Sequence, residues 1–198
     1  IAVILLFVVI ASGIYWMMKR PQDDLFTVMD VPEFEMTNQN GELINNQDML
    51  EKVYVVEFFF TSCPTICPIM STNLREIEDE INPPDFGIVS ITIDPTRDTP
   101  ERLLEYSNQI GVKSRNWHHL TADRTYIQNL SKQFNIYVED IADATGLDHS
   151  GNFALVDKNG KIRSRYGKNN LPILYYSGLN YQDAEGKKES LTGEFHPE

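Results

Sequence analysis

Hydrophobic positions along this chain fall into three kinds of run. The first is continuous: Ile1 to Met18 carries no charge and is mostly Ile, Val, Leu, Phe and Ala. As a helix it would span about 27 Å, close to the hydrocarbon thickness of a bilayer. A core helix usually keeps a polar face, and this stretch has none, so it reads as a transmembrane anchor. It is too long for a typical signal-peptide core and carries no cysteine for lipid attachment, so the expectation is an anchor that is retained. Residues 19–30 read as a linker leaving the membrane, and residues 31–198 as one domain large enough for its own core.

The second kind of run has period two or is apolar throughout. Phe34 to Thr37 alternates, Asn38-Gln39-Asn40-Gly41 supplies a turn, and Glu42-Leu43-Ile44 returns, which predicts a β-hairpin. Val53 to Phe60 is β-branched and aromatic, broken only by Glu57, as expected of a strand buried on both faces. Gly87 to Ile93 is a second such strand and Trp117 to Leu120 a short third. Phe153 to Val156 and Ile162 to Tyr166 predict a hairpin around Lys158-Asn159-Gly160.

The third kind has helical spacing. It covers Ile69 to Ile81, ending at Asn82-Pro83-Pro84, then Pro100 to Ile110, and finally Arg124 to Phe134. Thr99 is a natural cap for the middle helix, with Pro100 at its first position and Gly111 closing it. Strands alternating with helices mean an α/β domain, with a central, partly parallel sheet covered on both faces. The tail is different. Beyond Leu171 to Tyr176 it is polar and weakly periodic as far as Glu198.

Charge narrows the range of partners. The chain has a formal net charge of −12, and phosphate binding wants a basic face, so nucleic acid is not an expected partner. Lys19-Arg20 after the apolar span would, taken alone, place the domain in the cytoplasm.

The chemistry concentrates in one loop. Cys63 and Cys67 are the only cysteines of the chain and sit together in Thr61-Ser62-Cys63-Pro64-Thr65-Ile66-Cys67-Pro68, between a predicted strand and a predicted helix. A structural disulfide more often closes a long loop; two thiols four residues apart point instead to a reactive dithiol or a soft-metal site. Pro68 favours the first helical position and keeps the preceding residue out of the α region, which places Cys67 at the helix cap. Both sulfurs would then meet unpaired N–H groups and the positive end of the helix dipole, an environment that favours thiolate. Such thiol usage fits an export compartment.

Two thiolates leave a Cu(I) site incomplete, and a third donor would usually be histidine or methionine. His118 and His119 share a short strand and read as ordinary strand residues, while His196 lies near the chain end. His149, in the loop Leu147-Asp148-His149-Ser150-Gly151, precedes a strand. Spacing alone leaves it open as either a ligand or a structural histidine. Asp94, at the end of a central strand near the cysteine loop, could support such a site from behind; Arg97-Asp98 could be a local ion pair.

Three motifs in order resemble those of the Sco/SenC family, a membrane-anchored branch of the thioredoxin-like fold. They are Phe59 to Pro68, Val89-Ser90-Ile91-Thr92-Ile93-Asp94-Pro95-Thr96-Arg97-Asp98-Thr99-Pro100, and Asp148-His149-Ser150. The resemblance covers roughly Val31 to Tyr166. It implies a thioredoxin-like fold and a copper site, Cu(I) or Cu(II), made by Cys63, Cys67 and His149. It also implies delivery of that copper to a copper-carrying subunit of cytochrome c oxidase, with the domain outside the cytoplasm. The family usually closes with a C-terminal helix; here the expectation is that this helix is missing and that Leu171 to Leu191 is a loop insertion before it.

One alternative stays open: a thiol-disulfide oxidoreductase using only the catalytic dithiol Cys63 and Cys67 to reduce the oxidase subunit's copper-ligand cysteines. A peroxidase of the peroxiredoxin type would need a Pro-x-x-x-Thr-x-x-Cys arrangement that precedes neither cysteine.

Overall fold

The computed structural model describes residues 25–81, 84–136, 151–166 and 171–179, together with the backbone of 138–139 and 148–149. The expected anchor over residues 1–18 lies outside these. Among the described residues, no helix is long and apolar enough to cross a membrane.

Three apolar strands form the centre: β4 (Val53–Phe59), β5 (Phe86–Thr92) and β6 (Trp117–Thr121). They run parallel, with Val55 opposite Ile88 and Ile88 opposite Trp117. Parallel neighbours need crossovers, which are α1 (Ile66–Ile81) between β4 and β5 and α2 (Pro100–Ile110) between β5 and β6. Antiparallel strands extend the sheet at both ends. Beyond β4 come β9 (Asn152–Val156), β10 (Lys161–Arg165) and β1 (Leu25–Asp30); beyond β6 come β2 (Glu35–Asn38) and β3 (Leu43–Asn45). The backbone of β7 (Val138–Glu139) and β8 (Asp148–His149) pairs in a separate ribbon.

Period-two alternation divides the sheet into two cores. Val55, Phe86, Ile88, Trp117 and Phe153 pack with Met70 and Leu74 of α1. On the opposite face, Phe58 meets Phe134 edge-on at 5.7 Å, at the end of α3 (Arg124–Gln133). The sheet is therefore covered on both sides, as the alternation of elements predicts, in the thioredoxin-like α/β arrangement that the resemblance implies.

The helix ends follow their sequence signals. Thr99 caps α2 through its hydroxyl, which accepts from Arg102 N, and Gly111 closes that helix at φ 76°. Asp123 caps α3, accepting from Thr125 N and Tyr126 N.

Three expectations need correction. Residues 25–30, read as linker, form β1 and pair with β10; a half-buried edge strand has too weak an alternation to stand out from a polar linker. α1 begins at Ile66 rather than Ile69, so Cys67 lies inside its first turn and not at the cap. Within the supposed loop insertion, β11 (Tyr176–Ser177) pairs with Phe153 and Asn152 of β9. Gly178 N then donates to Gly151 O at 2.7 Å, and the buried Asn73 of α1 donates to Gly178 O at 2.6 Å. Partners contributed by distant elements bring this segment onto the sheet.

Candidate metal centre

The carboxyl ends of β4 and β5 deliver two loops to one edge of the sheet, where ligand sites of open α/β sheets are usually found. The first loop turns immediately: Cys63 N donates to Phe60 O at 3.2 Å, and α1 starts three residues later. Cys63 and Cys67 are both reduced and both buried. Cys67 N donates to Cys63 Sγ at 3.5 Å, and Thr65 Oγ1 lies 3.7 Å from the same sulfur. The first N–H groups of a helix have no intrahelical acceptor, so the Cys63 sulfur occupies the place of a capping group.

The two thiols are not equivalent. Cys67 is 1 % exposed, and its thiol is pushed far above the usual cysteine range. The largest cause is a side-chain hydrogen bond with Cys63, followed by burial; a backbone hydrogen bond at Phe60 opposes them, and the charges of Cys63 and Glu57 add to the rise. The expectation that the helix terminus would favour thiolate at both sulfurs thus fails for Cys67. Burial and a neighbouring sulfur outweigh the N-terminal field. A positive charge beside it, such as a bound cation would supply, would therefore favour loss of the Cys67 proton.

Around the dithiol is a set of buried polar groups that reasoning from sequence did not single out. The register places Glu57, Ser90 and His119 in one row across β4, β5 and β6. Ser90 Oγ donates to Glu57 Oε1 at 2.7 Å and receives Trp117 Nε1 at 3.0 Å. Tyr106 of α2 shares a 2.7 Å hydrogen bond with Ser71 of α1, and burial is the first reason that its hydroxyl is raised. Glu57 had one visible signal, as the lone charge in an apolar strand.

The second loop contributes Asp94 and Asp98. Asp94 is buried; its carboxylate accepts from Arg97 at 3.1 Å and its carbonyl oxygen from Arg97 N and Asp98 N. The local ion pair of this segment therefore joins Arg97 to Asp94, not to Asp98. Asp98, fully buried, reaches across to the cysteine loop instead. It accepts Thr61 N at 3.0 Å and Thr61 Oγ1 at 2.5 Å, and also Thr92 Oγ1 at 2.5 Å. The sequence signal was a threonine on each side of an acid-rich turn, but nothing local reveals which acid crosses.

His149 lies in β8, whose backbone pairs with Val138; its side chain is outside the described residues. β9 runs antiparallel to β4, with Ala154 opposite Val56. The chain therefore enters β9 from the edge where β4 leaves for the cysteine loop, and His149 precedes that entry by three residues. His118 is half-buried beside Asn38, while His119 is inside the core. Among the described residues, no three His, Cys, Asp or Glu side chains form a ready metal cluster. The donors that are described, two adjacent reduced thiols, are soft and suit a soft ion such as Cu(I).

A thioredoxin-like domain with a C-x-x-x-C dithiol at the first strand–helix junction defines a class of thiol proteins. Within that class the SCO1/SenC family profile matches residues 23–180, and the chain belongs to that family. It is 33 % identical over 147 residues to an SCO2-like protein of Rickettsia felis, covering 71 % of this chain and 70 % of that one. The crystal structure of a SCO1/SenC family lipoprotein from Bacillus anthracis str. Ames superposes with a TM-score of 0.66 at 30 % identity, covering 81 % of this chain and 90 % of that one. Bradyrhizobium japonicum ScoI with copper bound shares the fold, with a TM-score of 0.58 at 22 % identity over 80 % of this chain and 98 % of that one.

Proposed function

We propose that this chain is a membrane-anchored copper metallochaperone. It holds copper through Cys63, Cys67 and His149 and hands it to a copper-carrying subunit of cytochrome c oxidase during assembly, on the extracytoplasmic side of the membrane. The observation that carries the reading is the pair of reduced, buried thiols, one sulfur seated on the other residue's N–H at a helix N-terminus. Family membership, and the residue pattern Asp148-His149-Ser150 before the strand that neighbours β4, support His149 as the third donor. Asp94 would act from behind the site, held in place by Arg97.

Burial of both thiols suits transfer as well as storage. The ion is shielded from solvent, and a partner's sulfur ligands can replace these one at a time. Cu(I) is the state that matches two thiolates best. The test uses the full chain in detergent, reduced and anaerobic, titrated with Cu(I) against a competing chelator beside Cys63→Ser and His149→Ala. One tight equivalent that weakens sharply in both variants is the expected result; binding indifferent to His149 would remove the third ligand.

A second reading rests on the unequal placement of the sulfurs. Cys63 is the less enclosed of the two, as the attacking thiol of an exchange reaction would be. Its thiolate would attack a partner disulfide and release one partner thiol. Cys67 would then close the Cys63–Cys67 disulfide and release the second, passing two electrons to the partner. His149→Ala should leave this exchange intact.

A further inference from the structure

We propose that Asp98 is the positioning residue for the dithiol: its buried carboxylate latches the cysteine turn to the neighbouring strand–helix loop and so sets where the Cys63 sulfur sits. The inference rests on the reading of Cys63 and Cys67 as the working thiols. It identifies a determinant of their geometry that lies 35 residues from Cys63 in sequence.

The latch follows from donors and acceptors. Thr61 opens the turn that Cys63 closes on Phe60 O. Both hydrogen-bonding groups of Thr61 that point away from that turn, its N–H and its hydroxyl, are committed to Asp98. With backbone and side chain both held, Thr61 cannot rotate without breaking two charge-assisted hydrogen bonds, the strong kind. The other end of the latch is equally fixed: Thr92 of β5 donates to the same carboxylate, and Asp98 N donates to Asp94 O at 2.9 Å. Arg102 of α2 adds a bond from Nε to Thr61 Oγ1 at 3.2 Å. A continuous path therefore runs from β5 through Asp98 and Thr61 to the turn, to Cys63 Sγ, and on to Cys67 N.

Asp98 is 0 % exposed, and among the described residues its carboxylate is met by these donors. Removing it frees the turn and leaves Thr61 N–H without its acceptor. Partners that orient metal ligands in this way are worth about 10- to 100-fold in metal affinity. Asparagine preserves much of the latch: its carbonyl oxygen accepts Thr61 N–H, and its amide donates to a hydroxyl that rotates to accept.

The experiment compares the full chain in detergent with Asp98→Ala, Asp98→Asn, Thr61→Val and, as a control destabilised on the other face of the sheet, Asp123→Ala. Two quantities are read: the rate of Cys63 alkylation by iodoacetamide in the copper-free protein, assigned by peptide mass spectrometry, and Cu(I) affinity. In Asp98→Ala, alkylation of Cys63 should accelerate and Cu(I) affinity should fall, each by about tenfold or more. Asp98→Asn should recover most of both, and Asp123→Ala should change neither.

Values in Asp98→Ala within twofold of the parent chain would overturn the proposal, as would an asparagine variant no better than alanine. If Asp98→Ala does not fold, Thr61→Val decides: a clear rise in Cys63 reactivity upholds the latch, and parental reactivity refutes it. Alkylation needs no copper, so a parent chain that binds none would sink the metallochaperone reading and still leave the latch judged.

Discussion

Lowering the pH from 7 to 4.5 should destabilise this protein by an amount traceable to one residue, His119. Its ring is 1 % exposed, stacked on Trp117 with centroids 5.6 Å apart and planes 10° apart, and edge-on to Tyr106 and Phe59. Nδ1 finds no hydrogen-bond partner among the described residues. Glu57 lies two strands away in the row and accepts from the intervening Ser90, while neighbouring His118 disfavours a second positive charge. Burial first, and His118 second, push the imidazole down from 6.5 to about 3.

The unfolded chain therefore takes up this proton near pH 6.5, while the folded chain does not until about pH 3. Between those limits the unfolded state binds more protons, so stability is greatest above pH 6.5 and is lost as pH falls. The slope is about 1.4 kcal/mol per pH unit, or roughly 2–3 kcal/mol by pH 4.5. That is a large share of the ~5–15 kcal/mol that holds a typical domain folded. Carboxylates titrate in the lower part of the same window, so the comparison is with His119→Leu, which is close in volume and has no proton to gain. Urea unfolding of both proteins at pH 7, 6, 5 and 4.5 gives two slopes. The parent chain should fall more steeply by about one proton's worth, and parallel slopes would refute a buried neutral histidine.

Two further outcomes concern the frame that holds the site. Gly178→Ala would place a Cβ 2.7 Å from two ring atoms of the buried Phe153; the overpacking should cost about 1–3 kcal/mol by chemical denaturation, and an unchanged midpoint would mean that β11 does not pack as described. Thr99→Ala removes the hydroxyl that accepts Arg102 N at 3.4 Å and should lower stability by about 1 kcal/mol, measured the same way, with no change in Cys63 reactivity.

Much of the frame was legible in the chain because it is encoded locally. The apolar runs of β4 and β5, the helical spacing of α1 to α3, and the Thr99-Pro100 start and Gly111 stop of α2 each act within a few residues. The adjacency of Cys63 and Cys67 at a strand–helix junction is likewise a local fact, and with the two later motifs it carried the family. β1 escaped notice because a half-buried edge strand has no strong period to set it apart from the linker expected over the same residues. β11 escaped notice because two residues are too few to show one.

What only the tertiary structure decided was set by partners far apart in sequence. The sheet order that puts β9 beside β4, and β2 beside β6, is a choice among distant pairings that no local period specifies. It alone brings the entry to β9, just after His149, to the edge that bears the cysteines. Sequence made Arg97 and Asp98 look like neighbours in an ion pair; packing turned Arg97 to Asp94 and sent Asp98 across to Thr61. Two adjacent histidines read alike, yet the pleat turned His119 into the core and left His118 half-buried. The two thiols also read alike, and they differ because a proton's affinity depends on the charges, hydrogen bonds and water around it. Folding, by bringing distant strands and helices together, creates those surroundings.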